Sequence, residues 1–362
     1  MSDMNQTTIN QNEFVVSVGP LNSLSSLMYH LAEPLTSLNR EFVSGKNPDV
    51  IWDLRNVMPG QQNMASLTAF LSLAHRLRLF TGRAQEVLLE WKPKVLSFWS
   101  DIGFLDLSRK YDLIKWPEQL IGGFPSNVTN PNTIIIDYPS ETNIPDQADN
   151  EEEWKKWKDE TREEVKAQLM LKCSRLFEKS RNFKLPTRLR DQITITSSEL
   201  VLNSILHGKS MAFLGMQRTS KRISVSVCDA GIGFVNSLQK QSRDWSKIKD
   251  MKNIEAILIG SIENTREMGL RRSIDMTVQV GGYVEIFSND AEMRWRTELW
   301  EKAKNSLPPE RYVVPDMQLI LGDPVHGTAT AEQKRMGYYR TWQQALRGTR
   351  ISFDIDFSNF ED

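Results

Sequence analysis

The stretch from Glu199 to Gly233, ELVLNSILHGKSMAFLGMQRTSKRISVSVCDAGIG, decides how the chain is read. If its first segment is helical, Glu199, Asn203 and His207 fall four residues apart and share one face, while Leu200, Val201, Leu202, Ile205 and Leu206 fill the rest. Such a polar stripe is either a solvated surface or one wall of a polar site. The segment RISVSVCD then alternates Ile223, Val225 and Val227 with Ser224, Ser226 and Cys228, the period of a strand, and delivers Asp229 to the strand end. Gly231 and Gly233 free the backbone just beyond it. An acid at a strand end, followed by a glycine turn, favours the second of the two readings.

Before this stretch, residues 14 to about 125 alternate between strand and helix patterns. FVVSV is a short strand, and Leu21, Leu24, Leu27, Met28 and Leu31 then recur at helical spacing until Pro34, where the helix is expected to stop. DVIWDL is the second strand. The next helix runs from about Met64 to Phe80 with Leu67, Phe70, Leu71, Ala74 and Leu77 on one side, and Thr81-Gly82 ends it. EVLLEW is a third strand, and Pro93 opens a helix that stops near Gly103. This order implies a small sheet covered by helices.

Residues 126–182 read as a linker and a charged helix. The linker is turn-rich and acidic, with room for one strand at Ile134-Ile135-Ile136. In the helix, Glu151/Lys155 and Glu152/Lys156 have the favourable acidic-first spacing. Its seam of Trp154, Trp157, Val165, Leu169, Cys173 and Leu176 suits either a partner helix or, in preference, packing on its own chain. After Gly233 come further helical segments, Gly281-Gly282, and a strand containing Val284 and Ile286. Residues 294–308 are helical in period, 313–324 suit a strand, and 326–334 a loop. Gly348 to Phe357 alternates Ile351, Phe353, Ile355 and Phe357, a late strand.

The 362 residues suit two or three domains, and the formal net charge of −1 provides no field for collecting nucleic acid or an anionic membrane surface. Two distant cysteines and four histidines argue for a reducing compartment and against a zinc site. No apolar run approaches membrane-spanning length, and the first residues are polar, so the expectation is a soluble cytoplasmic protein.

Four blocks now stand in order: Glu199-LVL-Asn203-SIL-His207; Asp229-Ala-Gly231-Ile-Gly233; Met268-Gly269-Leu270 with Gly281-Gly282; and Gly348-Thr349-Arg350-Ile351. Together, over about residues 183–357, they resemble the histidine-kinase-like ATPase superfamily (GHKL, Bergerat fold). That superfamily includes DNA gyrase B subunits, heat-shock chaperone ATPases, sensor histidine kinases and anti-sigma-factor serine kinases. The resemblance implies ATP with Mg²⁺ as cofactors. Asn203 would be the metal ligand, its amide oxygen a hard neutral donor. Glu199 would be the general base. Asp229 would accept from the adenine amino group, Gly231 and Gly233 would let the backbone approach the base, and Thr349 would support the same edge. Gly269 and Leu270 would head the helix that offers its N-terminus to the phosphates, with Arg266, Arg271 or Arg272 as candidate additions. The chain departs from the family in its lid, where Glu263 to Met268 carries no glycine before Gly269, and in an insert at about 290–345.

The N-terminal order, with DVIWDLRNV, ASLTAFLSLAHRLRLFTGR, EVLLEW and SDIGFL, resembles the STAS (anti-anti-sigma factor-like) domain. There a serine at the start of the helix after the second strand accepts a phosphate, and Ser66 in Gln62-Asn63-Met64-Ala65-Ser66 is the candidate equivalent. The expected architecture is therefore a two-domain α/β protein. It has a STAS-like α/β domain over residues 1–125, the linker and charged helix, and an α/β sandwich of the histidine-kinase-like ATPase type over 183–362.

Three functions follow from these resemblances. The first is a Mg-dependent, ATP-binding and slowly hydrolysing cytoplasmic switch that controls a protein partner or its own association into a homodimer. The second is an anti-sigma-type protein serine/threonine kinase, and the third a non-catalytic ATP sensor or scaffold. A sensor histidine kinase is disfavoured, because His75 is followed by Arg76 and His30 by Leu31 where an acidic residue is expected.

Overall fold

The structure, a computed structural model, describes residues 13–124, 128–138, 150–178, 185–241, 249–262, 270–306 and 316–356. Strands β1 (Glu13–Ser17), β2 (Asp49–Asp53) and β3 (Glu86–Leu88) form a parallel sheet in the order β1-β2-β3. Strands β4 (Thr133–Tyr138), β5 (Ala212–Arg218), β6 (Arg222–Asp229), β7 (Tyr283–Trp295) and β8 (Tyr338–Asp356) form a second, antiparallel sheet in the order β4-β5-β6-β8-β7. The chain is thus mixed α/β, with one sheet of each kind. β4 comes from the segment assigned to the linker and is the edge strand beside β5.

Parallel strands need crossovers, and helices α1 (Leu24–Val43) and α2 (Met64–Thr81) supply them. The Ser23 hydroxyl caps α1 by accepting from the Ser26 amide. Contrary to the expected stop, α1 runs through Pro34, because its apolar stripe continues to the buried Leu38 and the partly buried Leu35 and Phe42. Tertiary burial there outweighs the hydrogen bond that proline removes. Asn63 caps α2, and Gly82 ends it in the left-handed region at φ 73°.

Periodicity placed one apolar side on α2, yet every residue from Met64 to Ala74 is buried. On one side Phe70 meets Trp52 of β2 edge-on, with ring centroids 4.9 Å apart. On the other, Thr68 Oγ1 lies 3.0 Å from Ser226 Oγ and 3.2 Å from Cys228 Sγ, both on β6. Gly215 of β5 makes that approach possible: a Cβ there would sit 2.9 Å from Thr68 Cγ2 and 3.2 Å from Met64 Cβ. One face of the second sheet, through Phe213, Cys228 and Phe287, therefore shares a core with the helices of the first. Ser66 is 0% exposed in this layer, and its hydroxyl has no hydrogen-bond partner. A phosphoacceptor needs access to its donor, and Ser66 has none in this fold.

Helices α3 (Pro93–Asp101), α4 (Phe104–Lys110) and α5 (Glu118–Ile121) complete the N-terminal part, with Trp99, Phe104 and Trp116 closing its core. β3 stops at Leu88, short of the expected Trp91, which is exposed. Helices α6 (Glu151–Lys172), α7 (Ser174–Phe177), α8 (Thr187–Leu206), α9 (Gly233–Gln241), α10 (Asn253–Ile262) and α11 (Leu270–Gln279) follow. Of the expected pairs on α6, Lys155 meets Glu151 at 2.7 Å, whereas Lys156 turns to Glu160 at 3.9 Å. The seam of Trp154, Val165, Leu169 and Cys173 is buried, and Val165, Leu169 and Cys173 share a core with Leu189, Ile193 and Leu200 of α8. Ile257 of α10, Ile274 of α11 and the sheet residues Leu214, Val225 and Val227 belong to that same core.

Much of the expected insert is a continuation of β7 and β8. Past Asn289, at φ 54°, the register jumps from Asn289↔Leu346 to Ala291↔Thr341, and the two strands run on as a ribbon. Helices α12 (Thr297–Lys304), α13 (Met317–Leu321) and α14 (Ala331–Met336) lie between the strands. Met317–Leu321, expected as strand, is helical because the Asp316 carboxylate caps it through the Leu319 amide. Residues 331–334, expected as loop, open this last helix, which carries a capping box formed by Thr330 and Gln333. The ribbon docks on α1 through the buried Glu292, which accepts from Tyr338 Oη (2.6 Å), Arg340 Nε (2.5 Å), Trp342 Nε1 (3.2 Å) and Ser25 Oγ (3.2 Å). Among the described residues no helix is long and apolar enough to cross a membrane.

Gly215→Ala is expected to cost about 2 kcal/mol in urea unfolding, because the added methyl overpacks the α2 contact. Ser66→Ala, which removes an unpartnered buried hydroxyl, should leave the stability unchanged or raise it. Burial pushes the Cys173 and Cys228 thiols up to about 12. Iodoacetamide at pH 8 should therefore label neither cysteine in the native protein and both after denaturation, as read by mass spectrometry.

Candidate functional site

Asp229 ends β6, 2% exposed, and its Oδ1 accepts from the Gly231 amide at 2.8 Å and the Thr349 amide at 3.2 Å. The Ser204 hydroxyl of α8, which donates to the Leu200 carbonyl at 3.2 Å, lies beside this carboxylate and favours its ionised form. Burial pushes the Asp229 carboxyl above its ordinary range, against the opposing pull of these bonds and of the Arg350 charge. Thr349 meets Asp229 through its backbone N–H.

Three backbones meet around this acid with no room for side chains. A Cβ on Gly231 would lie 2.1 Å from the Gly208 carbonyl oxygen, and one on Gly348, at φ +111°, would lie 2.2 Å from the Asp229 carbonyl oxygen. Gly208, at the end of α8, has its own Cβ position 3.3 Å from Asp229 Cγ. The glycine at 231 is therefore explained by packing within the protein. Gly233, at φ +77°, starts α9, and the Phe234 amide donates to Ser288 Oγ at 3.0 Å.

Beneath the loop, three arginines hold backbone carbonyls. Arg76 of α2 donates to Ala230 at 3.0 Å and Arg347 to Gly231 at 3.2 Å. The fully buried Arg350 donates to Leu346 and Arg347, each at 3.0 Å. Burial, and then the neighbouring Arg347, push the Arg76 guanidinium below its ordinary range. Three cations against one buried carboxylate leave the loop in a positive field.

On α8, Glu199 is 4% exposed and Asn203 is half-buried, one turn nearer Asp229. Glu199 Oε1 accepts from Arg162 Nε of α6 at 2.6 Å, and Arg162 Nη1 also meets Asp159 at 2.6 Å. His207 follows the last helical residue. Gly269 and the lid segment 263–269, Arg266 included, lie outside the described residues. Leu270 is buried at the start of α11. Arg271 Nη1 donates to the Ile262 carbonyl at 2.9 Å, closing the end of α10. Gly281, at φ +76°, and Gly282 turn the chain from α11 into β7, and a Cβ on Gly282 would meet the Asp354 carbonyl at 2.2 Å.

The structure thus gathers Asp229, Gly231 and Thr349 with Ser204 and Gly208 at the end of α8, while Glu199 pairs away toward α6. Ser204 and Gly208 were not singled out, although they stand beside Asn203 and His207 in the sequence. Nothing in the local sequence marked Arg76 or Arg162, which arrive from distant helices. Cavities among the described residues lie elsewhere. One, of about 340 Å³, is lined by residues of α4, β4 and α7, and another, of about 350 Å³, by residues including Leu321, Thr330 and Tyr338. Among the described residues no cluster of three or more His, Cys, Asp or Glu side chains is arranged to hold a metal ion. Comparisons with protein-family models, with curated proteins and with solved structures found no match.

Gly231→Ala and Gly348→Ala should each cost about 3 kcal/mol in urea unfolding, whereas Gly281→Ala, at positive φ like Gly348 but facing open space, should cost about 1 kcal/mol. The raised Asp229 carboxyl also sets a pH dependence. Folding strengthens its hold on a proton, so its contribution to stability is fully present below the unfolded value of about 3.9 and is lost as pH rises through the folded value. Asp229→Asn should gain on wild type in unfolding free energy as pH is raised from about 4.

Proposed function

We propose that residues 183–357 form a histidine-kinase-like ATPase unit that binds Mg·ATP, hydrolyses it slowly, and acts as a cytoplasmic switch on a protein partner or on self-association. The observation that carries this proposal is the buried Asp229 carboxylate, fixed by the Gly231 and Thr349 amides and set against the end of the helix that bears Asn203. An acid so held is pre-organised to accept from an exocyclic amino group, and the positive charge of Arg76 and Arg347, which hold the loop after it by its carbonyls, suits a polyanion.

The donor set fits the cofactors. The Asn203 side chain hydrogen-bonds to no described residue, so its amide oxygen is available to a hard cation shared with phosphates. When bound, Mg²⁺ would neutralise phosphate charge. For its part the chain would orient the base through Asp229 and present Glu199 to a water proton.

The parallel β1-β2-β3 sheet with its two crossover helices supports a STAS-like N-terminal unit. Ser66, however, is buried beneath the second sheet. If the unit transfers phosphate to a hydroxyl, the acceptor lies elsewhere. The engagement of Glu199 by Arg162 favours, as a second reading, a nucleotide sensor in which ATP is held and not cleaved.

Isothermal titration with ATP, with and without Mg²⁺, tests the proposal. Wild type should bind in a Mg²⁺-dependent manner, and Asp229→Ala should weaken binding by about 10-fold to 100-fold, the loss expected for one buried hydrogen-bond partner. Asn203→Ala should remove the Mg²⁺ dependence. Equal ATP affinity in wild type and Asp229→Ala would sink the site assignment. Phosphate release that falls to a small but measurable residual rate in Glu199→Gln while binding persists separates the hydrolysing switch from the sensor.

A further inference from the structure

We propose that Arg162 is a positioning residue for Glu199, placed there by a helix outside the ATPase unit itself. This inference rests on the ATP reading above.

The Arg162 guanidinium and the Glu199 carboxylate are both nearly sealed from water, their side chains 14% and 6% exposed, with Nε to Oε1 at 2.6 Å. Among the described residues Arg162 is the one group bonded to the Glu199 carboxylate, which leaves Oε2 as the oxygen available to a water. Arg162 is itself steadied on the solvent side by Asp159, one turn earlier on α6, at 2.6 Å. The result is a relay of three groups, Asp159, Arg162 and Glu199, in which the outermost carboxylate orients the arginine and the arginine orients the acid. The same arrangement recurs wherever a catalytic base is aimed by a third group.

A buried ion pair is a costly way to join two helices, since apolar side chains of similar volume do so at no desolvation penalty. α6 and α8 already share such an apolar contact through Val165, Leu169, Leu189 and Ile193. The pair is therefore not needed to hold the helices together, and its geometry is what needs a reason. With Oε1 fixed, Oε2 accepts the proton of a water as its oxygen bonds to the γ-phosphorus. The bond from that phosphorus to the bridging oxygen breaks, ADP leaves with the electron pair, and the proton passes from Glu199 to solvent. Displacing α6 would misdirect this carboxylate while leaving Asp229 and its amides untouched. A partner that moves α6 would therefore change turnover and spare affinity.

The test uses the full chain, Mg·ATP and release of inorganic phosphate, with nucleotide affinity measured separately. Arg162→Ala should lower kcat by about 10-fold to 100-fold, the usual effect of misplacing a reacting group, with the Kd for Mg·ATP within about twofold to threefold of wild type. Arg162→Lys should recover part of the loss. In a Glu199→Gln background, Arg162→Ala should cause no further loss, since the two side chains act as one unit. Unchanged or faster turnover in Arg162→Ala overturns the proposal, as does a further loss in the Glu199→Gln background, which would mark a merely structural role. Tight Mg·ATP binding with no phosphate release in wild type also overturns it and leaves the nucleotide site standing. Absence of Mg·ATP binding removes the site on which it rests.

Discussion

The architecture depends on the burial of α2 from both sides. A helix covering a sheet normally turns one face to solvent. Here Phe70 goes to Trp52 of the parallel sheet, while Met64 and Thr68 go to Gly215, Ser226 and Cys228 of the antiparallel one. The absence of a side chain at Gly215 lets the helix come close enough to exclude water. From this contact follow the shared core of the two sheets, the sealing of Ser66 and Cys228, and the delivery of Arg76 to the loop after β6. The ribbon of β7 and β8 adds a second tie through Glu292 and Ser25 on α1. The first sheet is therefore joined to the face of the second opposite α8.

The site is organised by a comparable economy of space. Gly208, Gly231 and Gly348 let the end of α8, the loop after β6 and the start of the last strand segment converge on one carboxylate. That carboxylate is held in place by amides rather than by a counter-ion within bonding distance, which leaves it oriented yet chemically unspent. Glu199, two turns back along α8, belongs to a different neighbourhood, governed by α6. Under the proposed ATP reading, base recognition and proton transfer belong to separate parts of the chain, linked through one helix.

Much of this was legible in the sequence where the signal was local. The Glu199 to Gly233 stretch reads as a helix and a strand with Asp229 at its end, and the helix expected from about Met64 to Phe80 and ended by Thr81-Gly82 matches α2 nearly to the residue. Failures arose where distant contacts decide. A run such as LTAFLSLA looks one-sided by period because Ser and Thr count as polar, although in α2 those residues are small enough to bury against a second sheet. Pro34 reads as a terminus because proline removes a helix hydrogen bond, yet the apolar stripe beyond it has a core to meet. Residues 317–321 are too short for periodicity to separate helix from strand, and the cap at Asp316 decided the matter. Arg162 and Arg76 carry no local mark, since what defines them is a partner at the far side of a fold.

The two-sided burial of α2 also bears on how the chain is made. Strand β6 lies well over a hundred residues after α2 in the sequence, so during synthesis the helix leaves the ribosome long before its outer cover exists. At the usual elongation rate the gap is on the order of ten seconds. For that interval a nascent β1-α1-β2-α2-β3 unit shows Met64, Ala65 and Thr68 to water, together with the slot that Gly215 will later fill. Apart from Met64 that outer face is small and mildly polar, as the close approach to Gly215 requires, and this keeps the waiting intermediate less adhesive than a leucine-rich surface would.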